Sequence, residues 1–136
     1  MTYRFTALAA GAETDPDGYF TEAGISERTD GSGFVMLFMS GEEEPDEQDT
    51  RLGFDTHCLV TAGQGTAYGC VRGAVLTGNV LRVSLDPAAL TALGLADAEI
   101  EATIEAPAED FARFREVLAR VLAYGRADAL PTHVVI

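Results

Sequence analysis

The sequence predicts an α+β domain: a mostly antiparallel sheet of about seven or eight strands, with a C-terminal amphipathic helix packed on one face. Three observations predict it. Short runs rich in apolar and β-branched residues recur between residues 3 and 104, separated by turn-forming Gly, Asp, Asn and Pro. A sustained helical repeat of apolar residues occurs only near the C-terminus, from Pro107 to Tyr124. The length of 136 residues suits one core, and 47% hydrophobic against 23% charged residues is too apolar for a disordered chain. We therefore read residues 1–136 as a single domain, with its core over about 3–124 and a tail at 125–136.

Taken in order, YRFTALA (3–9) and YFTEAGIS (19–26) read as strands on either side of the turn-rich AETDPDG. In GFVMLFMS (33–40), Phe34 to Met39 are all apolar, so the alternation of a half-exposed strand is missing. This predicts a central strand with both faces at least partly covered. A polar stretch, 41–54, interrupts the strands. DTHCLVT (55–61) and AYGCVRG (67–73) then flank Gly63 and Gly65 as a hairpin, and a loop of residues 63–65 would set Cys58 opposite Cys70.

A second hairpin is specified by Gly78 and Asn79, which supply positive φ between AVLT (74–77) and VLRVSL (80–85), with Leu81, Val83 and Leu85 on one face. Asp86 and Pro87 make an N-cap and first helical position for a short helix that Gly94 stops. In AEIEATIEA (98–106), Ile100 and Ile104 alternate with Glu99, Glu101 and Glu105, the pattern of a half-buried strand. The final helix places Phe111, Phe114, Val117, Leu118, Val121 and Leu122 at helical spacing, with Glu109/Arg113 and Glu116/Arg120 at i,i+4. GRADALPTHVVI (125–136) ends the chain as an edge strand or a loose tail.

Charge restricts the partner. The formal net charge is −13, and every basic residue is Arg. Residues 1–55 hold 13 carboxylates against three Arg, and the remainder nine against six. Such a field disfavours nucleic acid and anionic membranes and attracts basic proteins, whose association it can accelerate by ~10- to 10³-fold. The N-terminus lacks the apolar run of a signal peptide, and no stretch approaches the ~18 residues of a membrane span. A cytoplasmic location follows as an expectation, with Cys58 and Cys70 reduced.

The motifs point away from catalysis. Asp15, Asp17 and Glu22 lack the spacing of a calcium loop, and no cofactor or metal is implied. His57 adjoins Cys58, but neighbours on a strand face opposite ways, so this imidazole cannot activate this thiol. No nucleophile elbow, zinc-protease helix or Walker-type phosphate loop is present. The feature that stands out is EEEPDEQD, six carboxylates in residues 42–49. Unit charges ~6 Å apart in water repel by only ~0.7 kcal/mol, so a solvated loop tolerates them. Its position is what favours a function, because the run is tethered between two predicted core strands and presents a defined acidic surface. Glu42, Glu43, Glu44, Asp46, Glu47, Gln48, Asp49 and Asp55 are the candidate partner-binding residues.

PDEQDTRLGFDTHC (45–58) and AYGCV (67–71) resemble immunity protein family ten of bacterial polymorphic toxin systems. The matching positions are Asp46, Glu47, Gln48, Asp49, Leu52, Gly53, Asp55, Thr56, Tyr68 and Gly69. Phe54, His57 and Cys70 stand where the family pattern has Met, Tyr and Gly. The later Gly-containing hairpin, Leu-Gly-Leu and terminal helix follow in the same order. The resemblance implies a small inhibitor, without catalysis or cofactor, that binds and blocks a cognate toxin. An acidic surface suits a basic toxin directed at nucleic acid or nucleotides. The alternatives are an acidic regulatory module for another basic protein, or a small enzyme using Cys58 or a carboxylate pair. The Phe34–Met39 run implies that the other sheet face is partly covered by the 41–54 loop, the tail or a second copy, which allows a homodimer.

Overall fold

The computed structural model describes residues 2–16, 20–41, 47–52 and 55–136. In chain order its elements are β1 (Thr2–Ala7), β2 (Ala9–Thr14), β3 (Phe20–Ser26), β4 (Val35–Gly41), α1 (Glu47–Leu52), β5 (Cys58–Thr61) and β6 (Thr66–Tyr68). They continue with β7 (Val71–Thr77), β8 (Val80–Leu85), α2 (Leu90–Leu93), β9 (Glu99–Ile104), α3 (Ala108–Leu122) and β10 (His133–Val135). The class is α+β as expected, but the ten strands among the described residues form two five-stranded sheets. The orders are β1-β9-β8-β7-β10 and β2-β3-β4-β5-β6. Pairing is antiparallel except for β1 with β9 and β10 with β7.

The higher strand count has identifiable sources. β2 is built from AAGAET, residues with weak β propensity, and forms because it adds an edge to β3 in register from Ala9↔Ser26 to Thr14↔Thr21. One residue, Leu8, separates it from β1, so the chain changes sheets within a stretch that reads as a single strand. The tail supplies β10 by pairing parallel to β7, from His133↔Gly73 to Val135↔Val75.

Register decides the core. In the second sheet Ala23 and Leu59 both lie opposite Phe38, and Ile25 lies opposite Met36, all buried on one face. Helix α3 packs across β2, β3 and β4 on that face, where the rings of Phe114 and Phe38 meet edge-on at 6.5 Å between centroids. Phe5, Leu81, Val83, Ile100 and Ala102 of the first sheet join the same hydrophobic cluster. β4, the middle strand of its sheet, alternates in burial even though its sequence does not: Met36 and Phe38 are buried, whereas Val35, Leu37 and Met39 are half-buried. Its second face is thus partly covered.

The outer face of the first sheet is polar, with Glu101 accepting from Arg4 Nε (3.1 Å) and Arg82 Nε (2.9 Å). On α3, Arg113 donates to the Ala12 carbonyl at 3.0 Å, which ties the helix to the edge of β2. Asp86 caps the turn before α2 by accepting from Ala88 N at 3.0 Å, and Gly94 ends the helix at φ 68°.

Two hairpin details differ from the sequence reading. Between β7 and β8, Gly78 alone takes positive φ (60°), and the Asn79 side chain instead donates to the Ile104 carbonyl at 3.1 Å. Between β5 and β6 the register is Cys58↔Tyr68, so Cys58 does not face Cys70. The loop is longer than expected because Gly63 (φ 77°) and Gln64 (φ 66°) form a tight helical turn, closed by Thr61 N donating to the Gly65 carbonyl at 2.8 Å. Among the described residues no helix is long and apolar enough to cross a membrane.

Candidate partner-binding site

The acidic segment follows the end of β4 at Gly41, includes the start of α1 at Glu47, and precedes Asp55. Of the candidate residues, Glu42, Glu43, Glu44 and Asp46 lie outside the described residues. Glu47, Gln48 and Asp49 open α1, which the sequence reading assigned to a polar loop. Glu47 and Gln48 are exposed, and Arg51 donates to Glu47 at 3.3 Å one turn along. This exposed i,i+4 pair supports the short helix by only ~0.3–0.5 kcal/mol.

Asp55 is different in kind. Its carboxylate is buried and accepts from Arg126 Nη1 at 2.9 Å, while Arg126 N donates to the Asp55 carbonyl at 2.9 Å. Arg126 also pairs through Nε with the exposed Asp128 at 2.8 Å. The preceding Gly125 bridges Thr56 and holds φ at 106°, and a Cβ there would collide with the Asp55 carbonyl. Tyr124 sits against the other end of the segment, since a Cβ on Gly41 would meet Tyr124 Oη at 2.8 Å. Three consecutive residues after α3 therefore grip both anchors of the acidic segment. Sequence reading missed this clamp, because nothing local to 124–126 marks the partners.

Beyond Asp55 the chain is locked by His57, which is fully buried. Its Nε2 accepts from Val71 N at 3.1 Å, and its carbonyl accepts from Gly69 N (2.8 Å) and Thr56 Oγ1 (2.8 Å). Nδ1 must then carry the proton, and among the described residues it has no hydrogen-bond partner. Burial pulls the imidazole down to about 4, so it is a neutral acceptor that fixes the start of β7. Tyr68 and Gly69, two of the positions that carry the resemblance, belong to this same turn, where Gly69 adopts φ 64° beside Thr56.

Neither thiol is set up as a nucleophile. Burial pushes Cys70 up to about 12, and burial also raises Cys58, opposed by its hydrogen bond with Tyr68. Both cysteines are free. Among the described residues, no group of three or more His, Cys, Asp or Glu is placed to hold a metal ion.

The fold is an α+β domain of two five-stranded sheets, with Glu47 and Gln48 exposed on α1 and Asp55 buried against Arg126. The family model described as Immunity protein 10 matches residues 6–112, and the chain belongs to that family. No curated protein and no solved structure matches it. The matched region contains the acidic segment and Asp55 and stops before the clamp residues 124–126.

Proposed function

We propose that this protein neutralises a cognate bacterial toxin by stoichiometric, non-catalytic binding, with the acidic segment as its principal contact. Family membership carries the reading, and the charge distribution supports it. Glu42, Glu43, Glu44, Asp46, Glu47, Gln48 and Asp49 present carboxylates and one amide to a basic surface of the toxin, and Asp55 holds their return strand in place. A toxin that handles nucleic acid or nucleotides has such a surface, and a phosphate-like row of carboxylates would occupy or cover it. In this reading the protein belongs to a polymorphic toxin system and acts in the cytoplasm of the producing cell. The raised thiols weigh against the alternative of a cysteine enzyme.

The test is co-expression with the toxin, followed by association kinetics. The intact protein should restore growth. Replacing Glu42, Glu43, Glu44, Asp46, Glu47 and Asp49 together by their amides should slow association at least ~10-fold and flatten its salt dependence. Unchanged kinetics would remove the electrostatic version. Tight binding to a basic protein without protection of growth would favour the regulatory-module alternative.

A further inference from the structure

Among the described residues, α3 is the helix that packs on β2 and β3, and it lies on the face that carries Phe38. The opposite, outer face of the second sheet carries Gly11 and Gly24. Directly paired Gly11 and Gly24 leave a trough there of about 390 Å³, walled by Ala9, Val35 and Leu37. Leu37 closes the floor over Gly24, where a Cβ would meet its Cδ2 at 2.5 Å. Over Gly11 the space is open, with nothing within 4 Å of a Cβ position. Half-exposed Phe20 and Met39 extend the apolar surface to Gly41, which pairs with Phe20 and from which the acidic segment departs. The face is thus continuous with the proposed contact.

One end of the trough carries Glu13 and Glu22, directly opposed across the β2–β3 pair. Like charges at such a cross-strand pair destabilise a sheet. Burial, and then the neighbouring Glu13, raise Glu22 above its ordinary value. A second copy of this chain is a poor occupant, since it would bring two such pairs and two net charges of −13 together.

We propose that this face docks an extended, Arg- or Lys-bearing segment of the partner, its aliphatic stem over Gly11 and its cationic head between Glu13 and Glu22. The proposal rests on the partner-binding reading and adds a second contact to it, apolar at its centre and acidic at its rim.

The experiment is an NMR titration of the full chain with a capped Leu-Arg-Leu-Arg peptide, with Leu-Gln-Leu-Gln as the neutral control. The Arg peptide should move the amides of Gly11, Glu22 and Gly24 saturably, and the control should not. Glu13→Gln/Glu22→Gln should weaken the response about tenfold, equivalent to one lost charge contact. Gly11→Val should abolish it with the thermal midpoint unchanged or raised, because the added side chain enters open space. Shifts confined to α1 or to the outer face of the first sheet, or equal responses from both peptides, would overturn the proposal. So would a dimer in sedimentation equilibrium that Gly11→Val dissolves. No toxin enters this titration, so loss of growth protection and loss of this site are separately observable.

Discussion

Asp55 and Arg126 meet at 2.9 Å across 71 residues of sequence, with the carboxylate buried and the guanidinium half-exposed. The pair joins the return of the acidic segment to the tail that follows α3, so its loss bears on stability and on the placement of the proposed contact together.

Arg126→Met should cost about 2–3 kcal/mol in urea unfolding, below the full effect of a broken buried pair because Arg126 is half in water. Asp128→Ala, which removes only the exposed partner of Arg126, should cost less than about 1 kcal/mol. Equal losses in the two variants would mean that the Asp55 pairing has no special weight.

Stability should depend on pH through His57. Its folded value of about 4 lies below the ordinary 6.5, so the unfolded chain binds the extra proton first as pH falls. The contribution of neutral His57 is complete above pH 6.5 and declines toward pH 4, by an amount on the order of 3 kcal/mol. Urea midpoints across that window should fall more steeply for the native protein than for His57→Gln, whose side-chain carbonyl can still accept from Val71. Parallel slopes would count against this assignment.

Phe114→Ala should destabilise by about 3–5 kcal/mol, since it empties a fully buried site against Phe38 where α3 seats on the second sheet. Phe111→Ala, at a half-buried position one turn earlier, should cost clearly less. Thermal or urea unfolding of both variants checks the ranking.

The two thiols should separate in reactivity. At pH 8 an alkylating reagent should modify half-buried Cys58 first and reach Cys70 only on unfolding, because burial disfavours the Cys70 thiolate far more. Mass mapping of timed samples reads this directly, and rapid native labelling of Cys70 would contradict its burial.

The family resemblance, β9, the second hairpin and the helix of Phe114 and Leu118 were legible because each is written in local chemistry. Alternation marks Ile100 and Ile104, Gly78 marks the turn, and helical spacing marks α3. The run from Phe34 to Met39 announced β4 as central, which it is, but not which of its faces would be complete. β2 carried no signal: AAGAET becomes a strand only because β3 offers it an edge. The shift of Cys58 from Cys70 to Tyr68 came from two positive-φ residues in a loop, a choice that the flanking strands do not encode.

The sequence by itself determined the class of fold, the placement of most strands and the final helix, and the concentration of negative charge, since these follow from periodicity and composition within short windows. Only the tertiary structure decided that the strands divide into two sheets, that Asp55 is buried against Arg126, and that Gly11 and Gly24 open a trough beside Glu13 and Glu22. Each of those depends on register and on contacts between residues far apart in the chain, where the packing of the whole core selects among pairings that local propensity leaves nearly equal.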